Sequence, residues 1–256
     1  MKDWEIALEK FLKPWRENKD VSGITVCGSY VTGNSTKHSD VDIQIILKRG
    51  CKWRERGNKI VEGILMEYFA NPPEQIEGYL KSDYKKRRIL EAHMLSTGKI
   101  LLDKDGEIKK LKSLAGQYLK KSFEEIPGFK IEFSKYHFFD MLDNLEEVYH
   151  RNTSDFDFVY YNFLNTLFDS YCEFLAYSYI TENKVLRFLT DEKDKIKYKV
   201  KDFPDKVFAG MFIKAIKEKN KKKKLDLFSK LVKHVQNKMG GFNIDGWKMR
   251  SPVEVK

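Results

Sequence analysis

The stretch GSYVTGNSTKHSDVD, from Gly28 to Asp42, combines glycines, hydroxyl side chains and two aspartates separated by one valine. An apolar run precedes it, and Val41–Leu47 continues it as a second apolar run, so each run is predicted to be a β-strand. On a strand, residues i and i+2 point to the same face. Asp40 and Asp42 are therefore expected to present their carboxylates together at the start of the second strand.

Two carboxylates this close repel each other, and one is driven toward protonation unless a cation lies between them. Their hard oxygen ligands suit Mg²⁺, which completes its coordination shell with water and phosphate oxygens. Glu67 offers a third carboxylate, because it stands alone in the apolar run Ile64–Phe69 and is costly there unless paired, metal-bound or solvated. We predict a metal site at Asp40, Asp42 and Glu67; the alternative for the aspartates alone is a turn before an edge strand.

The glycines of the loop suit close approach of the backbone to phosphate groups. Gly28 and Gly33 are spaced like the glycines of a P-loop, but an Asn-Ser pair follows Gly33 where a P-loop has lysine and a hydroxyl residue. A dinucleotide fingerprint also lacks its third glycine. The loop and the aspartates are better interpreted together: the backbone at Gly28 and the hydroxyl of Ser29 bind a triphosphate beside its metal ligands.

This arrangement resembles the nucleotidyltransferase superfamily, which includes DNA polymerase β and the kanamycin and lincosamide nucleotidyltransferases. The shared pattern is a strand, a Gly-Ser pair, a loop with a short helix, Asp-x-Asp opening the next strand and an acidic residue on a later strand. In this chain the matching residues are Gly28-Ser29, Asp40-Val41-Asp42 and Glu67. The stretches Arg88–Asp103 and Gly240–Trp247 are similar to bacterial proteins of the antibiotic-type branch.

The resemblance implies transfer of a nucleoside monophosphate from an NTP to an acceptor hydroxyl, with release of pyrophosphate. In that reaction two Mg²⁺ ions stabilise the attacking and leaving oxygens of an in-line displacement. The implied roles are metal binding by Asp40, Asp42 and Glu67, and phosphate binding by Gly28 and Ser29, with Ser39 as a further contact.

One position departs from the antibiotic enzymes, some of which have an arginine where this chain has Thr32. Further phosphate contacts are therefore expected from Lys37 or from a lysine of the C-terminal part. The expected acceptor is a small hydroxylated molecule, with aminoglycoside and lincosamide antibiotics among the candidates.

The elements that position these residues change character along the chain. Helical periodicity starts at Asp3, strand-like runs follow up to Ile60–Phe69, another short strand is predicted at Lys99–Asp103, and the remainder has helical period. The pattern predicts an α+β protein: an N-terminal α/β domain with a small mixed sheet, residues 1–125, and an all-α helical bundle, residues 126–256. The resemblance identifies the first as the catalytic domain and the second as acceptor-binding.

Acidic residues in the helical part suggest how an acceptor is bound. Asp169 and Glu173 are spaced i, i+4 among aromatic residues, which suits a cationic acceptor such as an aminoglycoside. Glu173 is a candidate general base for the acceptor hydroxyl, and Glu67 is another from the metal side. A second acidic stripe is better explained as a solvated helix face: Asp140, Asp143 and Glu147.

The net charge of +10 favours polyanionic partners, from nucleotides to nucleic acid. Nucleic acid is not the favoured partner, because much of the excess charge lies in solvated runs such as Lys221–Lys224. No apolar run approaches membrane-spanning length and the N-terminus lacks the apolar stretch of a signal peptide, so a cytoplasmic protein without a membrane partner is expected.

Three function classes stay open at this point. The first is transfer to a small hydroxylated molecule, by a monomer or a homodimer. The second is nucleotide transfer to RNA or to a protein hydroxyl. The third is a non-catalytic, antitoxin-like binding module that keeps the fold as an interaction surface.

Overall fold

The computed structural model describes residues 2–178 and 184–253, apart from the side chain of Lys197. The strands are β1 Val21–Cys27, β2 Val41–Leu47, β3 Glu55–Val61, β4 Ile64–Asn71 and β5 Lys99–Asp103. The helices are α1 Asp3–Glu17, α2 Gly28–Thr32, α3 Pro73–Lys85, α4 Leu90–Thr97, α5 Glu107–Lys120, α6 Gly128–His150, α7 Phe156–Phe174, α8 Val185–Thr190, α9 Glu192–Tyr198, α10 Lys206–Lys217 and α11 Lys221–Lys238.

The strands form one mixed sheet in the order β3-β4-β2-β1-β5. Strands β2 and β4 run parallel, whereas β1 pairs antiparallel with β2 and β5, and β3 pairs antiparallel with β4. Helices account for most of the chain after β5. The predicted α+β fold with a small mixed sheet and a helical C-terminal region is confirmed.

The edge of the sheet differs from the sequence prediction. The run Ile60–Phe69 was expected to be one strand, but β3 ends at Val61 and β4 begins at Ile64, with Glu62 and Gly63 at φ of 51° and 75° in the turn between them. Strand β3 is polar and largely exposed, so the pattern of apolar residues in the sequence does not reveal it. The prediction of a single strand was wrong, because a solvated edge strand needs no alternating apolar residues.

Strand β2 is buried on both faces of the sheet, which is why it reads as a continuous apolar run. One face packs on α1, and the cluster includes Leu8, Phe11, Leu12, Val41, Ile43, Ile45 and Leu47. On the other face, α3, α4 and α5 cover Ile46 with Ile76, Leu80, Leu95 and Ile108. A slip of one residue would send the apolar set of β2 to the wrong face, so the packing fixes which side Asp42 faces.

The chain divides into two compact units. The first comprises Met1–Lys121 together with the described part of Tyr179–Lys201, and the second comprises Ser122–Ser178 with the described part of Asp202–Lys256. The short helices α8 and α9 therefore belong to the unit that contains the sheet. The division into residues 1–125 and 126–256 was a prediction about functional domains and stays one.

No helix in the described ranges is both long enough and apolar enough to span a membrane.

The second unit has an aromatic interior, where Phe168 stacks on Phe212 with ring centroids 4.5 Å apart and Tyr171 packs on Phe208 at 4.6 Å. Burial of these large rings contributes to the stability of the unit.

One buried carboxylate links three elements of the second unit. Asp205 accepts hydrogen bonds from the backbone N–H of Phe208 at 2.9 Å and from the hydroxyl of Tyr171 at 2.7 Å, and its Oδ2 lies 2.6 Å from Nε2 of His234. Burial alone would raise the pKa of Asp205, but the bonds from Phe208, His234 and Tyr171 lower it to about 2. The carboxylate thus caps α10 while joining it to α7 and α11.

We predict that Asp205→Ala lowers the free energy of unfolding by about 2–4 kcal/mol, since the helix cap and the bonds to buried Tyr171 and half-buried His234 are lost. Urea denaturation measures the change. The control is Asp226→Ala, whose exposed i, i+4 pair with Lys222 contributes less than about 1 kcal/mol.

The hydrogen bonds of the Asp205 carboxylate also predict that the free energy of unfolding falls in acid. Because folding lowers the pKa of Asp205, its contribution to stability is complete above the unfolded pKa of about 4 and is lost as pH falls toward 2. Between about pH 4 and pH 2, the free energy of unfolding of the wild type should therefore fall toward that of Asp205→Ala. Equal unfolding free energies of the Asp205 and Asp226 variants near neutral pH would contradict the role given to the carboxylate.

Candidate active site

The parallel pairing of β2 with β4 brings two acidic residues into register. Asp42 is the direct partner of Glu67 in that ladder, so the two side chains leave the same face of the sheet from neighbouring strands. Asp40 precedes β2 by one residue and lies two positions before Asp42. One carboxylate oxygen of each of the three residues lies within 4.8 Å of those of the other two.

Gly28 supports this cluster from the opposite neighbouring strand. Its predecessor Cys27 pairs with Asp42 in the antiparallel β1–β2 ladder, and Gly28 begins α2 with φ of 75°. A Cβ on Gly28 would overlap the carboxylate of Asp42, whose Cγ would lie 2.9 Å away. The glycine is therefore required twice, for its backbone conformation and for the space that the carboxylate fills.

The two serines predicted to bind phosphate differ in their surroundings. Among the described residues, the hydroxyl of half-buried Ser29 has no hydrogen-bond partner, while its carbonyl accepts the backbone N–H of Asn34 at 2.9 Å. The hydroxyl of Ser39 accepts the backbone N–H of Thr36 at 2.9 Å and so closes the turn before Asp40. Both remain predicted phosphate contacts, and Ser39 has a structural role already.

Helix α9 packs on the same loop. The hydroxyl of Thr32 bonds to the hydroxyl of Tyr198 at 2.9 Å, and the amide of Asn34 donates to Asp194 at 2.9 Å. Tyr198 also stacks on the buried ring of His93, with centroids 5.6 Å apart. Burial, together with the charges of Lys184 and Lys199, lowers the pKa of His93 to about 4, so the ring is neutral near pH 7.

The electrostatics of the carboxylate cluster favour a cation. The pKa of Asp42 is raised to about 6, chiefly by burial and then by the charges of Asp40 and Glu67, against a smaller lowering by the Lys184 ammonium. A divalent cation would relieve the repulsion that raises this pKa, so the donor set fits a hard metal ion. Glu67 also accepts a hydrogen bond from Arg56 at 2.8 Å through Oε1, which leaves its second oxygen for a metal.

Residues 8–137 match the nucleotidyltransferase domain family. The chain belongs to that family. The family establishes nucleotidyl transfer in general terms, and with it a nucleotide substrate and a transferase activity.

Two further comparisons accompany this assignment. Among solved structures, this nucleotidyltransferase is similar to a nucleotidyltransferase-like protein from Exiguobacterium sibiricum 255-15, with 12% sequence identity, a TM-score of 0.43, and coverage of 92% of this chain and 75% of that chain. A search of curated proteins finds no match.

Sequence reasoning located the three carboxylates of the nucleotidyltransferase but not the basic residues around them. Lys184 lies just before α8, more than a hundred positions after Asp42. Arg56 lies on β3, the edge strand that the pattern of apolar residues does not reveal. A lysine from the C-terminal half was expected near the phosphates, but no local signal singles out Lys184. The hydrogen bond between Arg56 and Glu67 follows from the β3–β4 hairpin.

Glu173 lies at the C-terminal end of α7, in the second compact unit, and is half-buried. The other six predicted site residues all belong to the first unit. The role of Glu173 as a general base stays a prediction.

The close approach of Gly28 to Asp42 predicts a specific defect. Gly28→Ala should weaken Mn²⁺ binding at least tenfold, because the added methyl group displaces the Asp42 carboxylate from Asp40 and Glu67. Calorimetric titration with Mn²⁺ measures the affinity. Gly50→Ala is the matched control, since Gly50 has a similar φ of 83° but no atom within 4 Å of an added Cβ. Equal Mn²⁺ affinities of the two variants would refute the steric argument.

Proposed function

We propose that this nucleotidyltransferase transfers a nucleoside monophosphate from an NTP to a hydroxyl group of a small-molecule acceptor in a Mg²⁺-dependent reaction. The observation behind the proposal is the cluster of Asp40, Asp42 and Glu67, whose carboxylate oxygens lie within 4.8 Å of one another. Three acidic ligands on one sheet face suit cations that also contact phosphate oxygens.

The chemistry is a displacement at the α-phosphorus of the NTP. The acceptor oxygen forms a bond to that phosphorus, the bond from phosphorus to the oxygen bridging the α- and β-phosphates breaks, and pyrophosphate leaves. Mg²⁺ ions, when bound, neutralise charge on the attacking and leaving oxygens. The protein's own part is chiefly to position these groups.

Individual residues of the first unit suit these tasks. The backbone at Gly28 and the hydroxyl of Ser29, which has no hydrogen-bond partner in the described ranges, are available to the triphosphate. Lys184, whose charge already acts on Asp42, supplies a positive charge to phosphate oxygens. The proton of the acceptor hydroxyl passes to a carboxylate, for which Glu67 is the candidate beside the metal ligands and Glu173 the candidate in the second unit.

The acceptor class is the finer part of the proposal. The likeness to the antibiotic-type branch makes aminoglycosides and lincosamides the first compounds to test, together with other small hydroxylated molecules. RNA belongs in the same panel because of the net charge of +10.

A release assay tests the function. Each of the four NTPs is incubated with Mg²⁺ and with pooled acceptors, and pyrophosphate is measured. The wild type should release pyrophosphate with at least one combination, and Asp42→Asn should lower the rate about a thousand-fold or more because several kcal/mol of metal stabilisation are lost.

The matched control is Glu62→Gln, which removes an exposed carboxylate from the turn between β3 and β4 and should keep the wild-type rate. Pyrophosphate release that persists at the wild-type rate in Asp42→Asn, or in the presence of EDTA, would contradict the proposal. Wild-type protein that releases none with any NTP and acceptor would do the same.

A further inference from the structure

A cavity of about 790 Å³ opens on the same sheet face as the acidic cluster. Its floor comes from β2 and β4, through Gln44, Phe69 and Asn71, and its walls come from β3 and the helices α3 and α4. Gln44 follows Asp42 by two residues and Phe69 follows Glu67 by two, so floor and cluster form one continuous surface. The volume suits a small molecule.

Two amides on this floor belong to largely buried residues that line the cavity. Gln44 is 4% exposed and Asn71 is 6% exposed, and neither side-chain amide makes a hydrogen bond to any residue in the described ranges. Their amide atoms are not among the fully buried unpaired side-chain atoms of the described residues, so they are accessible from the cavity. A polar group of a largely buried residue is normally paired with protein, water or a ligand. Both amides line the cavity, where hydroxyl groups of a bound molecule can satisfy them.

The walls add positive charge. Arg54 donates a hydrogen bond to the hydroxyl of Tyr79 at 2.7 Å and has no carboxylate partner among the described residues. Arg56, which also donates to Glu67, lies over the ring of Phe69 at 4.7 Å. Lys86 lines the cavity from the end of α3. Planar guanidinium groups bind carboxylates and phosphates through paired hydrogen bonds.

The described residues of the walls also include three acidic ones, but their negative charge opposes the binding of an anionic ligand only in part. Glu55 accepts a hydrogen bond from Tyr68. Asp83 accepts the backbone N–H of Glu91 at 3.2 Å, and burial together with the charge of Asp83 raises the pKa of Glu91 to about 7. Near neutral pH, Glu91 is thus partly protonated and offers a hydrogen-bond donor to the cavity.

The position of the cavity matches the side from which an acceptor must approach. In an in-line displacement the attacking and leaving oxygens lie on opposite sides of the phosphorus. In the sheet order, Gly28 lies beyond Asp42 on the β1 side, whereas Glu67, Arg56 and the cavity lie on the β4 and β3 side. With pyrophosphate leaving along the Gly28 loop, in-line attack comes from the β4 side, which is the side where the cavity lies.

We propose that this cavity is the acceptor subsite, in which Gln44 and Asn71 bind the hydroxyl groups of a small polyhydroxylated molecule while Arg54, Arg56 and Lys86 bind its carboxylate or phosphate group. The proposal rests on the proposed function and names its acceptor class. It favours an anionic sugar derivative over the polycationic aminoglycosides that the sequence resemblance suggests.

Binding of simple probes tests the subsite without turnover. Calorimetry is performed on the full chain with Mg²⁺ and, separately, gluconate, glucose 6-phosphate, glucose and kanamycin. At least one anionic probe should bind, at least tenfold more tightly than glucose and kanamycin, and the gluconate and phosphate arms decide between a carboxylate and a phosphate. Tighter binding of kanamycin, or no binding of either anionic probe, would overturn the proposal.

Variants then assign the binding to the cavity. Gln44→Met and Asn71→Leu keep side-chain size and should each weaken the anionic probe about fivefold to tenfold. Their free energies of unfolding should change little, because neither substitution removes a hydrogen bond within the described ranges. Gln117→Met, which changes an exposed amide on α5, is the control and should bind like the wild type. Unaltered probe affinity, or a large loss of stability, in both cavity variants would exclude a ligand-binding role for the amides.

Failure of this proposal and failure of the proposed function give different results. Pyrophosphate release with some acceptor, together with an acceptor KM that Gln44→Met and Asn71→Leu do not change, rejects the cavity and keeps the transferase. Probe binding that the variants abolish, without pyrophosphate release from any NTP, rejects the function and keeps the cavity as a binding site. A raised acceptor KM with an unchanged KM for the NTP supports both.

Discussion

The repulsion that Asp42 experiences from Asp40 and Glu67 is the constraint on which the site depends. Parallel pairing of β2 with β4 holds the carboxylates of Asp42 and Glu67 side by side, and Asp40 adds a third negative charge at the start of β2. The pKa of Asp42 rises to about 6 because it is buried and surrounded by these charges. A sheet whose register is fixed by packing on both faces cannot relieve the repulsion by sliding. A bound cation would relieve it, which is the physical basis for proposing the cluster as a metal site.

That constraint organises the neighbouring elements. Gly28 has no side chain because the Asp42 carboxylate fills the space of its Cβ. Two basic residues that are far apart in the sequence supply positive charge to the cluster: Lys184 lies before α8, and Arg56 lies on the edge strand β3. The loop from Gly28 and the cavity beside Glu67 lie on different sides of β2, which suits a reaction whose leaving and attacking groups must be opposed.

Much of this site was predictable from short-range sequence signals. The Gly-Ser pair, the spacing of Asp40 and Asp42 and the isolated Glu67 each follow from strand periodicity and from the cost of a charge in an apolar run. Two features of the fold were not predictable from the sequence. Strand β3 lacks an apolar pattern, and the packing of α8 and α9 with the first unit depends on tertiary contacts. The amides of Gln44 and Asn71 make no hydrogen bond among the described residues, and this could be recognised only from the tertiary structure.

The central claim is that three carboxylates on β2 and β4 hold a divalent cation beside the triphosphate. Anomalous diffraction from crystals grown with Mn²⁺ and a non-hydrolysable NTP analogue tests it most directly. We expect an anomalous peak bounded by Asp40, Asp42 and Glu67, with phosphate oxygens of the analogue on the same ion. A peak elsewhere in the molecule, or a bound analogue with no ion at these three residues, would contradict it.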